Sequence, residues 1–521
     1  MQTVPRLQSY APGSSVEDTN TGLQYLLIRG CTLLAPDEPG KLLHEQDILI
    51  AGQRIAAVGP TGSLTFNPQQ VERVIRGKNR LVVPGLVNAH THSLENLMKA
   101  TSLSMPLELW LVPLFGDTLE WSPNLVYLST LLGALEMLKT GTTAVLDHLW
   151  TSAGVSTEYL DATMHAYHDA GIRAAVAPSI EDQDLVLEAG NKYGMTFPSH
   201  PFTDRFKDWA PINQQVKALE RFISTWNNTA NGRLRCLVGP SGIHWCSPEL
   251  LETCLELSEC YHTGMHLHAV ETELQAAVIR DTLGQGGIRY LKHMGLLRPG
   301  TSLAHTIWLE PGDLRILADT GTTVVHNPIS NLRLGSGRFP LSEALDQGVI
   351  MALGSDGSAS NDRQNMFDVL KQTGLMHNLP DVDYHQWPQP AEILHAATEG
   401  GAAALGLSAE LGRIEEQQLA DLLLIDLESD AFLPLRDPYL HLIYCEHGTA
   451  IDGVIVNGEV VVEHGKPLNI DEQALRQEIR EQYQFALKST ANIATSMAST
   501  DKVLAQLNKL RHLILQKNQG L

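Results

Sequence analysis

From Tyr25 the chain alternates short apolar runs with polar turns: Tyr25-Leu-Leu-Ile-Arg29, Asp47-Ile-Leu-Ile50, Arg54-Ile-Ala-Ala-Val58 and Val71 to Ile75. Runs of this length, bounded by signals such as Gly59-Pro60, predict antiparallel strands too few to close a stable domain alone. Similar text returns far downstream in Asp421-Leu-Leu-Leu-Ile-Asp426 and Gly453 to Val462, where Asn457-Gly458 predicts a hairpin turn. Together the two groups predict a small composite β-sandwich, residues 23–80 plus 415–468, with the rest inserted between them. Residues 1–22 read as a polar leader rich in Ser, Pro and Thr.

Between residues 81 and 414 the pattern changes to apolar runs alternating with helical text, which predicts parallel strands joined by helical crossovers. Eight runs stand out: Leu81 to His92, Thr142 to Asp147, Arg173 to Pro178, Leu234 to Gly239, Gly264 to His268, Thr301 to His305, Thr322 to His326 and Val349 to Asp356. The first crossover has Ser122 as N-cap, Pro123 at the first helical position, Leu125, Leu128, Leu131, Leu132, Leu135 and Leu138 at helical spacing, and Gly141 as the stop. The fold class is therefore α/β, a (β/α)8 barrel of TIM type. An open doubly wound sheet is the competing architecture, but no Gly-x-Gly-x-x-Gly follows a strand. Residues 469–521 read as a C-terminal helical tail, with Leu475, Ile479, Tyr483 and Leu487 on one face and Val503, Leu507, Leu510 and Ile514 continuing it.

Several of these strands carry His or Asp at the C-terminal end, the catalytic face of such a barrel. His90 and His92 close the first run, and side chains two apart on a strand point the same way. Alone, such a pair reads more readily as two satisfied core histidines than as a metal site. A barrel, however, would bring His268, His305 and Asp356 to the same mouth. Imidazoles with one carboxylate match the donors of a catalytic zinc or iron site that keeps a position for water. Glu271, just past its strand end, could relay a proton beside that site.

Composition narrows the partners. Acidic residues outnumber basic ones, 59 to 37, and the net charge of -22 disfavours a nucleic-acid backbone. No run has the length and apolarity of a membrane span and no signal-peptide core is present, so a cytoplasmic location is the expectation. The six cysteines show no Cys-x-x-Cys spacing and read as buried free thiols.

The stretches Pro84-Gly-Leu-Val-Asn-Ala-His-Thr-His92, His266-Leu-His-Ala-Val-Glu-Thr272, Leu303-Ala-His305, His326-Asn-Pro-Ile-Ser-Asn-Leu-Arg-Leu-Gly335 and Ala352-Leu-Gly-Ser-Asp-Gly357 resemble, in order and spacing, the amidohydrolase superfamily. The similarity is to its branch of aminohydrolases and chlorohydrolases acting on ring carbons, which includes guanine, cytosine, adenosyl-homocysteine and aminotriazine hydrolases. It runs from about residue 24 to 465, and residues 190–231 and the tail add nothing to it. The resemblance implies one divalent metal per chain, zinc or alternatively iron, held by His90, His92, His268 and Asp356. It implies that His305 contacts the attacking water or the substrate, that Asp356 also accepts the water's proton, and that Glu271 protonates the ring and then the leaving group. Trp110 and His326 are implied as substrate contacts, and Asn88, where binuclear members carry Asp, favours one metal. His266 reads as a packing residue behind the ligands.

The expected activity is hydrolytic deamination of an aminated purine, pteridine or triazine with release of ammonia. Expulsion of chloride or an alkylamine from such a ring is the alternative, and a catalytically dead scaffold is the reading from another class. Nucleoside deaminases of the branch often grip ribose with a Pro-x-Glu after the Trp-Leu. Here the text is Phe115-Gly-Asp-Thr-Leu-Glu120, which favours a free base, pteridine or triazine. A small-molecule substrate and a homo-oligomer are the partners the resemblance implies.

Overall fold

A computed structural model describes residues 24–35, 38, 40–116, 119–151, 155–205, 210–488 and 493–518. The leader expected over residues 1–22 lies outside them. The strands from the two chain ends are hydrogen-bonded into one nine-stranded sheet, which runs from Lys466–Pro467 through Leu422–Asp426, Arg80–Pro84 and Tyr25–Leu34 to Arg54–Pro60. The seam between the ends is an antiparallel ladder from Leu422 opposite Pro84 to Asp426 opposite Arg80. Ile28, Ile48, Val82, Leu422 and Ile455 form its buried apolar face. The Asn457-Gly458 turn joins Ile451–Val456 to Glu459–Glu463, with φ of 55° and 82° as a primed hairpin turn requires.

The apolar run from Leu81 to His92, read above as one strand, is two. Arg80–Pro84 belongs to the terminal sheet and Leu86–Thr91 to the inserted domain. Gly85 makes the switch possible, because a Cβ there would lie 2.0 Å from Thr143 Oγ1.

The inserted domain has α/β architecture of TIM-barrel type. One parallel sheet orders Leu86–Thr91, Thr142–Asp147, Arg173–Val176 and Leu234–Cys236; a second orders Met265–Ala269, Thr301–His305, Thr323–His326 and Ile350–Leu353. Parallel bridges from Val238 to Met265 and from Gly242 to His268 link the sheets on one side. On the other, Asp356 N donates to His90 O at 2.9 Å. The first crossover helix, Pro123–Lys139, is capped by Ser122, whose hydroxyl accepts from Leu125 N, and ends before Gly141 at φ 87°.

A buried pair fixes the inserted domain to the terminal sheet. Arg173 reaches Asp421 with Nε at 2.8 Å and Nη2 at 2.9 Å, and the two side chains are 1% and 0% exposed. Helices Glu472–Lys488 and Ile493–Asn518 occupy the tail. Val503 and Leu507 of the second pack in one cluster with Trp110, Leu111 and Phe202. Among the described residues, no helix is long and apolar enough to cross a membrane. All six cysteines are free; Cys260 and Cys445 are exposed rather than buried as expected.

Candidate active site

Strand ends deliver the polar residues of the site. His90 is fully buried on Leu86–Thr91, His268 lies on Met265–Ala269, and His305 ends Thr301–His305. Asp356 follows Ile350–Leu353 in a left-handed conformation, φ 65°, and His305, Thr306 and Val270 also have positive φ. Non-glycine residues held there are strained, and such strain persists where the surroundings over-determine it. Asn88 supplies part of that constraint: its Nδ2 donates to Ser355 Oγ at 2.7 Å and its Oδ1 accepts from Ser355 N at 2.9 Å.

The imidazoles are oriented from behind. His92 Nδ1 donates to His148 O at 2.6 Å and His268 Nδ1 to Ser241 O at 2.6 Å. His90 Nδ1 lies 2.8 Å from His266 Nε2, and His266 Nδ1 lies 2.7 Å from Ser302 Oγ. With Nδ1 so engaged, the Nε2 of His90, His92 and His268 is left as a lone pair facing the shared centre. The Nε2 atoms of His90 and His92 are each 3.4 Å from Asp356 Oδ1. Ligands bonded at about 2.0–2.1 Å to one tetrahedral ion have such a spacing. His90 Nε2 is buried without a hydrogen-bond partner. The donor atoms of His90, His92 and Asp356, and those of His90, His268 and His305, lie within 4.8 Å of one another. An orphaned imidazole nitrogen amid imidazoles and a carboxylate fits a divalent metal.

Charge is arranged to match. Burial pushes Asp356 up, but the imidazoles of His90, His305 and His92 around it hold its carboxyl well below the usual range. Its Oδ2 accepts from Ser330 Oγ at 2.5 Å. Burial lowers His90 to about 4 and His268 well below its ordinary value, which keeps both neutral and ligand-competent. Burial pushes Glu271 up to about 7, opposed by His305. Ser336 Oγ donates to Glu271 Oε1 at 3.1 Å, while Oε2 is 3.8 Å from His305 Nε2. His305 is itself held by Asn331, whose Oδ1 is 2.8 Å from Nδ1.

These groups open on a cavity of about 800 Å³, counting its open mouth, lined by His92, His268, Glu271, His305, Asp356 and Trp110 among others. Its wall is apolar and aromatic. Leu107, Trp110, Leu111, Leu114 and Phe115 come from the helix Leu107–Phe115, and Trp150, Phe202 and Trp245 complete it.

His326, expected to touch substrate, is not in that lining. It is fully buried, its Nε2 lies 3.2 Å from His377 Nε2 and its ring packs on Phe339. Successive residues of an extended chain face opposite ways, and the neighbouring Asn327 turns toward the site instead, with Nδ2 3.4 Å from His305 Nδ1.

Sequence reasoning missed two features of the cavity. One is a buried cluster in which Arg205 reaches Glu181 at 3.2 Å and Asp184 at 2.6 Å, with burial holding Glu181 at about 7. The other is Glu95, 2% exposed, whose Oε1 accepts from Trp150 Nε1 at 3.2 Å and Oε2 from Ala359 N at 3.1 Å. Burial pushes it to about 7 against the pull of His92. A signal for Glu95 was present: His90-Thr-His-Ser-Leu-Glu95 repeats the spacing of His266-Leu-His-Ala-Val-Glu271.

Comparison with known proteins agrees with this geometry. The pattern of the amidohydrolase family matches residues 81–461. A 5-methylthioadenosine/S-adenosylhomocysteine deaminase of Pelotomaculum thermopropionicum is 32% identical over 456 residues, spanning 87% of this chain and 96% of the relative. A 5'-deoxyadenosine deaminase of Methanosarcina mazei is 28% identical over 454 residues, with 87% and 96% covered. Among solved structures, an adenosine deaminase from Xanthomonas campestris with bound zinc superposes with a TM-score of 0.77 at 25% identity, over 89% of this chain and 98% of that one. An atrazine chlorohydrolase from Arthrobacter aurescens complexed with zinc gives a TM-score of 0.79 at 28% identity, over 88% and 100%.

Proposed function

The chain belongs to the amidohydrolase family, and from that premise we propose that it is a metal-dependent aminohydrolase that deaminates an aminated heterocycle and releases ammonia. The observation that carries the reading is Glu271, a buried carboxyl held near neutrality in the same cavity wall as a metal-competent cluster. The deaminases among its relatives support an aminopurine ring, and the triazine enzyme among its structural neighbours supports chloride expulsion as the second reading.

On this reading His90, His92, His268 and Asp356 hold one zinc per chain, with iron as the alternative. A divalent ion there supplies the charge that makes water a nucleophile near neutral pH. The remaining chemistry belongs to the side chains. Glu271 holds a proton on its carboxyl near pH 7 and delivers it to the ring nitrogen from the oxygen not bonded by Ser336, while Asp356 accepts the proton that the attacking water gives up, and that second proton, relayed through the emptied Glu271 carboxylate, goes to the departing amine. His305, whose Nδ1 is engaged by Asn331 Oδ1, presents Nε2 to the attacking water or the substrate. Trp110 and its apolar neighbours stack on the ring and exclude water. Residues 81–414 are read as a closed (β/α)8 barrel, and residues 23–80 plus 415–468 as the composite sandwich beside it; the Asp356 to His90 bond and the terminal-sheet seam support this.

The test is ammonia release by zinc-loaded protein from a panel of aminopurines, their nucleosides, aminopteridines and aminotriazines. Turnover of one ring class with ammonia as product is the expected result. Chloride or alkylamine release alone would favour the second reading, and no turnover of any ring would leave the scaffold.

A further inference from the structure

The cavity holds a second buried carboxylate for which the chemistry above has no use. We propose that Glu95 is a substrate-anchoring residue that accepts a hydrogen bond from an N–H donor of the ring. The favoured substrate then carries a second donor, an exocyclic amino group or a protonated ring nitrogen, besides the amine that leaves. This rests on the deaminase reading and narrows its substrate class.

The spacing His-x-His-x-x-Glu occurs at the ends of the first and fifth strands, and both of its carboxylates line the one cavity. Their surroundings differ: Glu95 accepts from Trp150 and Ala359, whereas Glu271 accepts from Ser336 and lies 3.8 Å from His305 Nε2. The other acidic groups of the lining have partners that define them. Asp356 sits among the imidazoles and Glu181 is paired with Arg205. Among the described residues, Glu95 accepts hydrogen bonds from the Trp150 indole N–H and the Ala359 backbone N–H alone. A carboxylate has about four acceptor sites, so two filled leave room for a further donor, and a buried carboxylate gains strongly from one.

The space for this side chain is reserved. A Cβ on Gly357 would lie 1.9 Å from Glu95 Oε2, and Gly357 has no left-handed φ that would otherwise require glycine. The Glu95 carboxylate thus lies directly against Gly357, next to Asp356.

The test compares 6-aminopurine with 2,6-diaminopurine, each as the base and as the 5'-deoxynucleoside, on zinc-loaded wild-type, Glu95→Ala and Glu95→Gln proteins with matched metal content. Dissociation constants come from quenching of tryptophan fluorescence, and KM and kcat from ammonia release. The wild type is expected to bind the diamino ring roughly tenfold or more tighter, the scale of one hydrogen bond to a charged group, and to express this in KM more than in kcat. In Glu95→Ala the preference should collapse toward one, and Glu95→Gln, which keeps the volume and one acceptor, should retain part of it. Equal binding of the two rings by the wild type, failure of the diamino ring to bind, or an unchanged preference in Glu95→Ala would overturn the proposal. If the rings bind with the expected preference but release no ammonia, the deaminase reading fails while the anchoring role stands.

Discussion

Replacing Glu271 by Gln isolates proton transfer from everything else the site does. The amide is nearly isosteric, its oxygen can still accept from Ser336 Oγ, and no metal-ligand candidate is altered. What is lost is a carboxyl that burial holds at about 7, half protonated at neutral pH and therefore able both to take and to give a proton. A positioned general acid or base contributes roughly 10²–10⁴-fold, about 3–5 kcal/mol of barrier. The expected outcome is a loss of kcat by at least a hundredfold, with zinc content and ring affinity near those of the parent. The pH profile adds a sharper signature. Where the protonated acid is required, wild-type kcat should fall about tenfold per unit above pH 7, and in Glu271→Gln that limb should vanish from the residual activity. The assay is steady-state ammonia release between pH 6 and 9 beside elemental analysis of both proteins. A Gln variant that turns over like the parent would refute the assignment, and one that loses its metal would make Glu271 a ligand.

Further expectations follow from burial and charge. Arg173→Met leaves Asp421 buried without its cation, so denaturant unfolding should show a loss of about 3–5 kcal/mol; a loss below about 1 kcal/mol would contradict this role for the pair. Leu507→Ala opens space in the cluster shared with Trp110 and should lower stability by about 2–4 kcal/mol and raise KM, whereas an unchanged KM would uncouple the tail from the cavity wall. In metal-free protein, Glu95, Glu181 and Glu271 have folded values raised from 4.5 to about 7, so their contribution to stability is full below about pH 4.5 and is lost as pH rises from there to about 7. His90, His244 and His377, lowered to about 4 by burial, contribute stability that is lost as pH falls below about 6.5, where the unfolded chain takes up protons first. Between about pH 4.5 and 6.5 the two sets oppose each other and above pH 7 neither titrates, so the melting temperature at fixed scan rate should change little from pH 7 to 8, and a steep change there would contradict the assignment.

How much of this could be read from the sequence depended on the range of the interaction. Buried parallel strands are continuous apolar runs, so Thr142–Asp147 and Thr301–His305 were legible to the residue. The convergence of His90, His92, His268, His305 and Asp356 followed from strand order, because a barrel collects strand ends at one mouth. The switch of sheets at Gly85 was hidden, since both halves of the run are apolar and only the crowding against Thr143 separates them. Arg205 was hidden for another reason. A cation buried between Glu181 and Asp184 leaves no periodic mark, and its stretch looks like loop text. His326 was placed against substrate by the family resemblance, whereas which of two adjacent residues faces a cavity is a matter of one step in the strand.

The claim on which the rest depends is that His90, His92, His268 and Asp356 form a single metal site that the reaction requires. Its most direct test is a titration of chelator-stripped protein with zinc, reading bound metal per chain and ammonia release together, for the wild type and Asp356→Asn. Activity that returns in proportion to metal and saturates at about one zinc per chain, with weak binding and no recovery in Asp356→Asn, is the predicted result. Saturation at two, turnover by the stripped protein, or full zinc binding by Asp356→Asn would contradict it.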